Sequence, residues 1–213
     1  MWYWPEAARG ARYLPEFWVL DSESSHGRYA TKAKLILGID LIRFHGHACD
    51  GLFRGMYAMS QAVKMLFADG IIDRTDLQFV SRNSPCLGDV GAYLTGGRVR
   101  FGTQDVMARL GVWYLVQQIS TGQTVEVVEE DDFFPQAIMD KEVQLATLPD
   151  GKEKMQVVTD LKVMQDQWIA DILLKSRPED HYFAKALDVD FSEVPYANKG
   201  MRTDITYKQV PLR

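Results

Sequence analysis

The chain is poor in the residues that would place it in several large functional classes. It has two cysteines and four histidines in 213 residues. Two thiols cannot make a disulfide framework, so an apolar core has to hold the fold. No run of 18 or more apolar residues occurs, which leaves no candidate transmembrane helix. Lysine and arginine are scattered and the formal net charge is -5. Phosphate binding needs a concentrated basic face, so no nucleic-acid partner is expected. The start, Met1-Trp2-Tyr3-Trp4-Pro5-Glu6, lacks the basic opening and long apolar segment of a secretion signal, and the expected location is the cytoplasm. There is no glycine-rich loop followed by Lys-Ser or Lys-Thr, no Gly-x-Ser-x-Gly, no internal repeat and no low-complexity tract.

The rest is ordinary globular composition, 46% hydrophobic and 25% charged. Residues 1–30 form an aromatic-rich arm (Trp2, Tyr3, Trp4, Tyr13, Phe17, Trp18), expected to pack on the domain or on a second subunit. From Thr31 as cap, the apolar run Leu35 to Ile42 predicts a buried helix ending near Phe44. Leu52, Met56, Met59, Val63 and Leu66 step by three and four and predict a second helix, capped by Asp50 and ended by Asp69-Gly70. Met56, Met59 and Met65 are expected to fill the core there. A strand over Leu77–Val80 and a short helix over Cys86–Leu94, stopped by Gly96-Gly97, come next. Arg98 to Phe101 alternates as a strand would. Gly111–Ile119 and Gln123–Glu129 predict a hairpin turning at Ser120-Thr121-Gly122. Beyond the acidic run Glu129–Asp132 and Pro135, Leu145–Gly151 is expected to turn. Val157–Lys175 is expected as an amphipathic helix with Val158, Leu161, Met164, Trp168 and Ile172 on one face. The organisation expected is an arm (1–30), an α+β core (31–135) with helices packed on an antiparallel or mixed sheet, and a helical C-terminal extension (136–213) packed on the core or at a dimer interface.

Chemistry concentrates in two patches. In Phe44-His45-Gly46-His47-Ala48-Cys49-Asp50-Gly51, two of the four histidines and one of the two cysteines fall within five positions. Gly46 permits a turn that can bring the imidazoles together. Cys49 lies near a helix start, where partial positive charge favours a thiolate. A thiolate with one or two neutral imidazoles is a competent zinc, nickel or iron ligand set, and the same groups could instead be nucleophile and base. The structural alternative is a hydrogen-bonding histidine pair at a helix cap beside a small buried cysteine. The second patch, Asn83-Ser84-Pro85-Cys86-Leu87-Gly88-Asp89, puts Cys86 at another helix start. Asp89, one turn on, could orient a histidine or simply oppose the helix dipole. His26 and His181 read as surface histidines.

His45-Gly46-His47-Ala48-Cys49-Asp50-Gly51, then Cys86 with Asp89 and Thr95-Gly96-Gly97, resembles the formylmethanofuran dehydrogenase E-subunit family, whose members carry His-Gly-His-x-Cys-Pro-Gly followed by Cys-x-x-Asp and a Thr-Gly step. The resemblance spans Lys32 to Glu129. It implies an α+β core, often paired as a homodimer, and a metal or active site built from His45, His47, Cys49, Cys86 and Asp89. Asp50 stands where the family usually has proline. The paired cysteines of the C-terminal zinc finger found in some members are absent, since no cysteine follows Cys86.

These readings combine into a metal-binding enzyme acting on a small molecule. His45, His47, Cys49 and Cys86 are the expected metal ligands, and Cys49, Cys86 and Asp89 the expected catalytic groups. The expected cofactor is a divalent transition metal, zinc ahead of nickel or iron. The alternatives are an accessory protein that binds and delivers a metal, haem or pterin-like cofactor, and a metal-free dithiol redox protein cycling Cys49 and Cys86.

Overall fold

A computed structural model describes residues 6–8, 11–23, 30–97, 104–108, 110–175 and 177–188. After a 3-10 turn at Glu6–Ala8 come β1 (Glu16–Leu20), β2 (Lys34–Leu37), α1 (Gly38–His45), α2 (Asp50–Leu66), β3 (Ile71–Asp73), β4 (Leu77–Arg82) and α3 (Pro85–Thr95). β5 (Gln104–Met107), β6 (Tyr114–Gln118), β7 (Thr124–Glu129), α4 (Gln136–Thr147) and α5 (Lys152–Lys175) follow, then a 3-10 turn at Pro178–His181 and β8 (Tyr182–Leu187).

Two mixed sheets result. In the smaller, ordered β2-β1-β3, β1 runs antiparallel to β2 and parallel to β3. The larger is ordered β5-β4-β6-β7-β8, with only the β4–β5 pair parallel. Helices packed on these sheets make the fold α+β.

α2 is the centre of the molecule. Leu52, Phe53, Met56, Tyr57 and Met59 are fully buried along it, and it packs on β6, β7 and β8, on α3 and on α5. The stripe Leu52, Met56, Met59, Val63, Leu66 faces the core as the spacing predicts, whereas Met65 points outward. α3 lies on β4 so closely that a Cβ at Gly91 would come within 2.3 Å of the Phe79 ring. Glycine is the residue that fits there.

Several expected elements differ. The run from Thr31 is not one helix: Lys34–Leu37 pairs with β1, and α1 begins only at Gly38. A short apolar run satisfies either period, and tertiary pairing decided for a strand. Cys49, not Asp50, is the N-cap of α2, and Asp50 is its first helical residue. Leu145 belongs to α4 rather than to a turn. On α5 the buried face uses Val157 in place of the exposed Val158, together with Leu161, Trp168, Ile169 and Ile172. The segment after Pro135 supplies the helical pair α4–α5 and the strand β8, which completes the larger sheet against β7. The strand expected at Arg98–Phe101, the first aromatics of the arm, His26 and the C-terminal tail lie outside the described residues.

Candidate metal centre

The two patches meet where α1, α2 and α3 converge. α1 ends in Gly46, whose left-handed backbone (φ 98°) lets the chain reverse directly into α2. His45 therefore closes one helix and Cys49 caps the next. α3 brings Cys86 onto the first turn of α2, with Pro85 at the head of the helix where its missing N–H leaves no bond unmade. Gly51 makes the approach possible, since a Cβ there would stand 3.1 Å from Cys86 Sγ.

The donor atoms form a nearly equilateral triangle. Cys49 Sγ lies 3.5 Å from Cys86 Sγ and 3.7 Å from His45 Nε2, and Cys86 Sγ lies 3.6 Å from His45 Nε2. Around a tetrahedral zinc, with Zn–S of about 2.3 Å and Zn–N of about 2.0–2.1 Å, two sulfurs stand about 3.8 Å apart and a sulfur and a nitrogen about 3.6 Å. The triangle fits one face of that tetrahedron. His47 stands on the solvent side. Its ring centroid is 4.6 Å from that of His45, and donor atoms of His45, His47 and Cys49 all lie within 4.8 Å of one another.

Asp89 accepts a hydrogen bond from His45 Nδ1 at 2.8 Å. That bond fixes the imidazole and leaves Nε2 aimed at the sulfurs, the arrangement that metal-ligating histidines use. The His45 side chain is 6% exposed and that of Asp89 40%, so the histidine is enclosed while its carboxylate reaches solvent.

The electrostatics of the triangle suit a thiolate. The hydrogen bond from the Cys49 thiol is the main force holding Cys86 well below the usual thiol range, against burial and with help from His45. The same bond, with burial, pushes Cys49 up. His45 is raised to about 9, first by its bond to Cys86, against burial, and then by Asp89. The group can therefore hold one sulfur ionised beside a cationic ring. In that form it is ready to exchange protons for a divalent cation.

A second polar cluster on α2 was not legible in the motif. Arg54, one turn after Asp50, donates to both carboxylate oxygens of Glu129 on β7, at 2.5 and 2.9 Å. The Tyr182 hydroxyl donates to the same carboxylate at 2.6 Å, and Asp50 lies 3.7 Å from the guanidinium. The ring of Phe134 lies 3.7 Å from the guanidinium carbon, and that of Trp113 4.5 Å. The i, i+4 spacing of Asp50 and Arg54 was the available signal; the partner on β7 had none. His181 sits apart from the sulfurs, stacked on Phe133 and bonded to Glu130.

Residues 44–183 match the family described as FmdE, Molybdenum formylmethanofuran dehydrogenase operon. No curated protein matches the chain. Among solved structures, one similar chain is a tungsten formylmethanofuran dehydrogenase E-subunit (FmdE)-like protein from Syntrophus aciditrophicus. It is 16% identical, with 76% of this chain and 79% of that chain covered and a TM-score of 0.48.

Proposed function

From the premise that the chain belongs to the FmdE family, we propose that it is a metal-dependent enzyme acting on a small molecule, with a divalent transition metal, zinc ahead of nickel or iron, held by Cys49, Cys86 and His45. His47 is the fourth ligand or stands beside a position open to substrate. The observation that carries this reading is the triangle of donor atoms, whose sides of 3.5–3.7 Å fit tetrahedral zinc. Asp89 acts as the positioning carboxylate: its hold on Nδ1 fixes the tautomer and turns the ring toward the sulfurs.

A bound metal would supply Lewis acidity toward an oxygen or carbonyl group. The protein's own part is to bind and orient. The sulfurs and the ring are fixed before any ligand arrives, because two helix starts and a carboxylate already hold them. The exposed imidazole of His47 is the group placed to exchange protons with a substrate at the mouth.

One observation favours a second reading. The two sulfurs are 3.5 Å apart, within reach of a disulfide after a modest side-chain movement, so the pair also suits dithiol–disulfide exchange. Elemental analysis of protein purified without a histidine tag separates the two readings. About one equivalent of metal, lost in Cys49→Ala and Cys86→Ala, is the expected result. Equal metal in all three proteins refutes the metal centre. A metal-free wild type with a reducible Cys49–Cys86 pair favours the dithiol.

A further inference from the structure

A cavity of about 610 Å³ opens at the C-terminal end of β4, lined by Arg54, Arg82, Trp113, Phe134, Asp131 and Asp132 among others. Two elements that neighbour the cysteines each send an arginine to it: Arg54 from α2 and Arg82 from the last position of β4. These arginines alternate with aromatic rings. Arg54 lies between Phe134 and Trp113, and Arg82 stacks on Trp113 at 5.2 Å, so the order is Phe134, Arg54, Trp113, Arg82.

The charges in this ladder are not equally spent. Arg54 is 14% exposed and committed to Glu129. Glu130 is paired with His181. Arg82 is half-buried, and its hydrogen bond is a long one, from Nη2 to the Gly111 carbonyl at 3.4 Å. Among the described residues it has no carboxylate partner. Asp131 and Asp132, exposed at the rim, have no cationic partner among the described residues either. Among the described residues, the cavity therefore holds one guanidinium and two carboxylates without an opposite charge. A guanidinium beside an indole, with no carboxylate taking its N–H groups, can offer two parallel donors to an oxyanion. Two rim carboxylates repel a polyanion and attract an ammonium group.

We propose that this cavity binds a small dipolar molecule bearing both a carboxylate and a protonated amine, the carboxylate on Arg82 and the amine on Asp131 and Asp132. The apolar side chains of Val128 and Met139, which also line the cavity, favour a ring or short apolar spacer between the two charges. Nothing in this assignment requires a metal, so it stands or falls separately from the centre at the two cysteines.

The test is calorimetric titration of the intact protein with three probes that share a ring: 4-(aminomethyl)benzoate, 4-methylbenzoate and 4-methylbenzylamine. The dipolar probe is expected to bind roughly tenfold tighter than either singly charged one, as two charge-assisted contacts against one imply. Arg82→Gln should bring it down to the amine, and Asp131→Asn with Asp132→Asn down to the acid, with the circular dichroism of each variant unchanged. Failure of the wild type to bind any probe saturably overturns the assignment. Equal affinity for all three does so too, as does an Arg82→Gln protein that still prefers the dipolar probe.

Discussion

Replacing Gly51 by alanine sets two effects of the same methyl group against each other. Gly51 is the second residue of α2, and alanine there should favour the helix by up to about 1 kcal/mol, less at an end than in the interior. The new Cβ, however, would stand 3.1 Å from Cys86 Sγ and 3.3 Å from Cys86 Cβ, inside ordinary van der Waals contact. The thiol must retreat by a few tenths of an ångström or rotate away. Either movement stretches a triangle whose sides are 3.5–3.7 Å. Disturbing the support of a ligand costs about ten- to a hundredfold in metal affinity, or about 1.4–2.8 kcal/mol. The metal-free variant should therefore melt at or above the wild-type temperature while its affinity for zinc, measured by chelator competition, falls in that range. The absorption of the cobalt-substituted protein should change as the thiolate shifts. Wild-type affinity with an unchanged cobalt spectrum would refute the argument. So would a loss of affinity that merely tracks a loss of folded protein.

Asp89→Asn should lower metal affinity about tenfold or more with little change in thermal midpoint, because it weakens the hold on His45 Nδ1 at a half-exposed position. Glu129→Gln should cost about 3–5 kcal/mol in urea unfolding, since the Glu129 and Arg54 side chains are 8% and 14% exposed and the guanidinium loses its counter-charge. Gly91→Ala should cost about 3 kcal/mol by the same assay, because its Cβ would fall 2.3 Å from the Phe79 ring. Asp21 offers a pH test. Burial works against its charged form, but the hydrogen bond from Lys34 and the charge of Arg74 prevail and hold its pKa below the usual value. Its contribution is thus present above about pH 4 and lost as pH falls through the folded value. Asp21→Asn should be less stable than wild type at pH 7, and the gap should narrow as pH falls below about 4; a difference that does not shrink in acid would contradict the pairing.

The residues of the candidate site were easier to pick out in the sequence than several elements around them, for physical reasons. His45, Cys49, Cys86 and Asp89 are polar groups next to helix boundaries, and glycine and proline mark such boundaries locally. What the motif could not supply was the distance across 37 positions from Cys49 to Cys86, which depends on how α3 docks on α2. Leu35 to Leu37 was ambiguous because so short a run cannot establish a period; only β1 settles it. α4 escaped notice because Ile138 is its one buried residue, so it carries almost no apolar stripe. β8 escaped because its pattern makes sense only beside β7. Nothing local announced the partner of Arg54, which lies 75 residues away.

The position of β8 in the chain has a consequence for synthesis. The Tyr182 hydroxyl that steadies Glu129, and through it the Arg54 end of α2, arrives about a hundred residues after Cys86. At ribosomal rates of about 5–20 residues per second, the two thiols leave the tunnel roughly 5–20 s before β8. During that interval both thiols have emerged while Glu129 and Arg54 still wait for the Tyr182 hydroxyl.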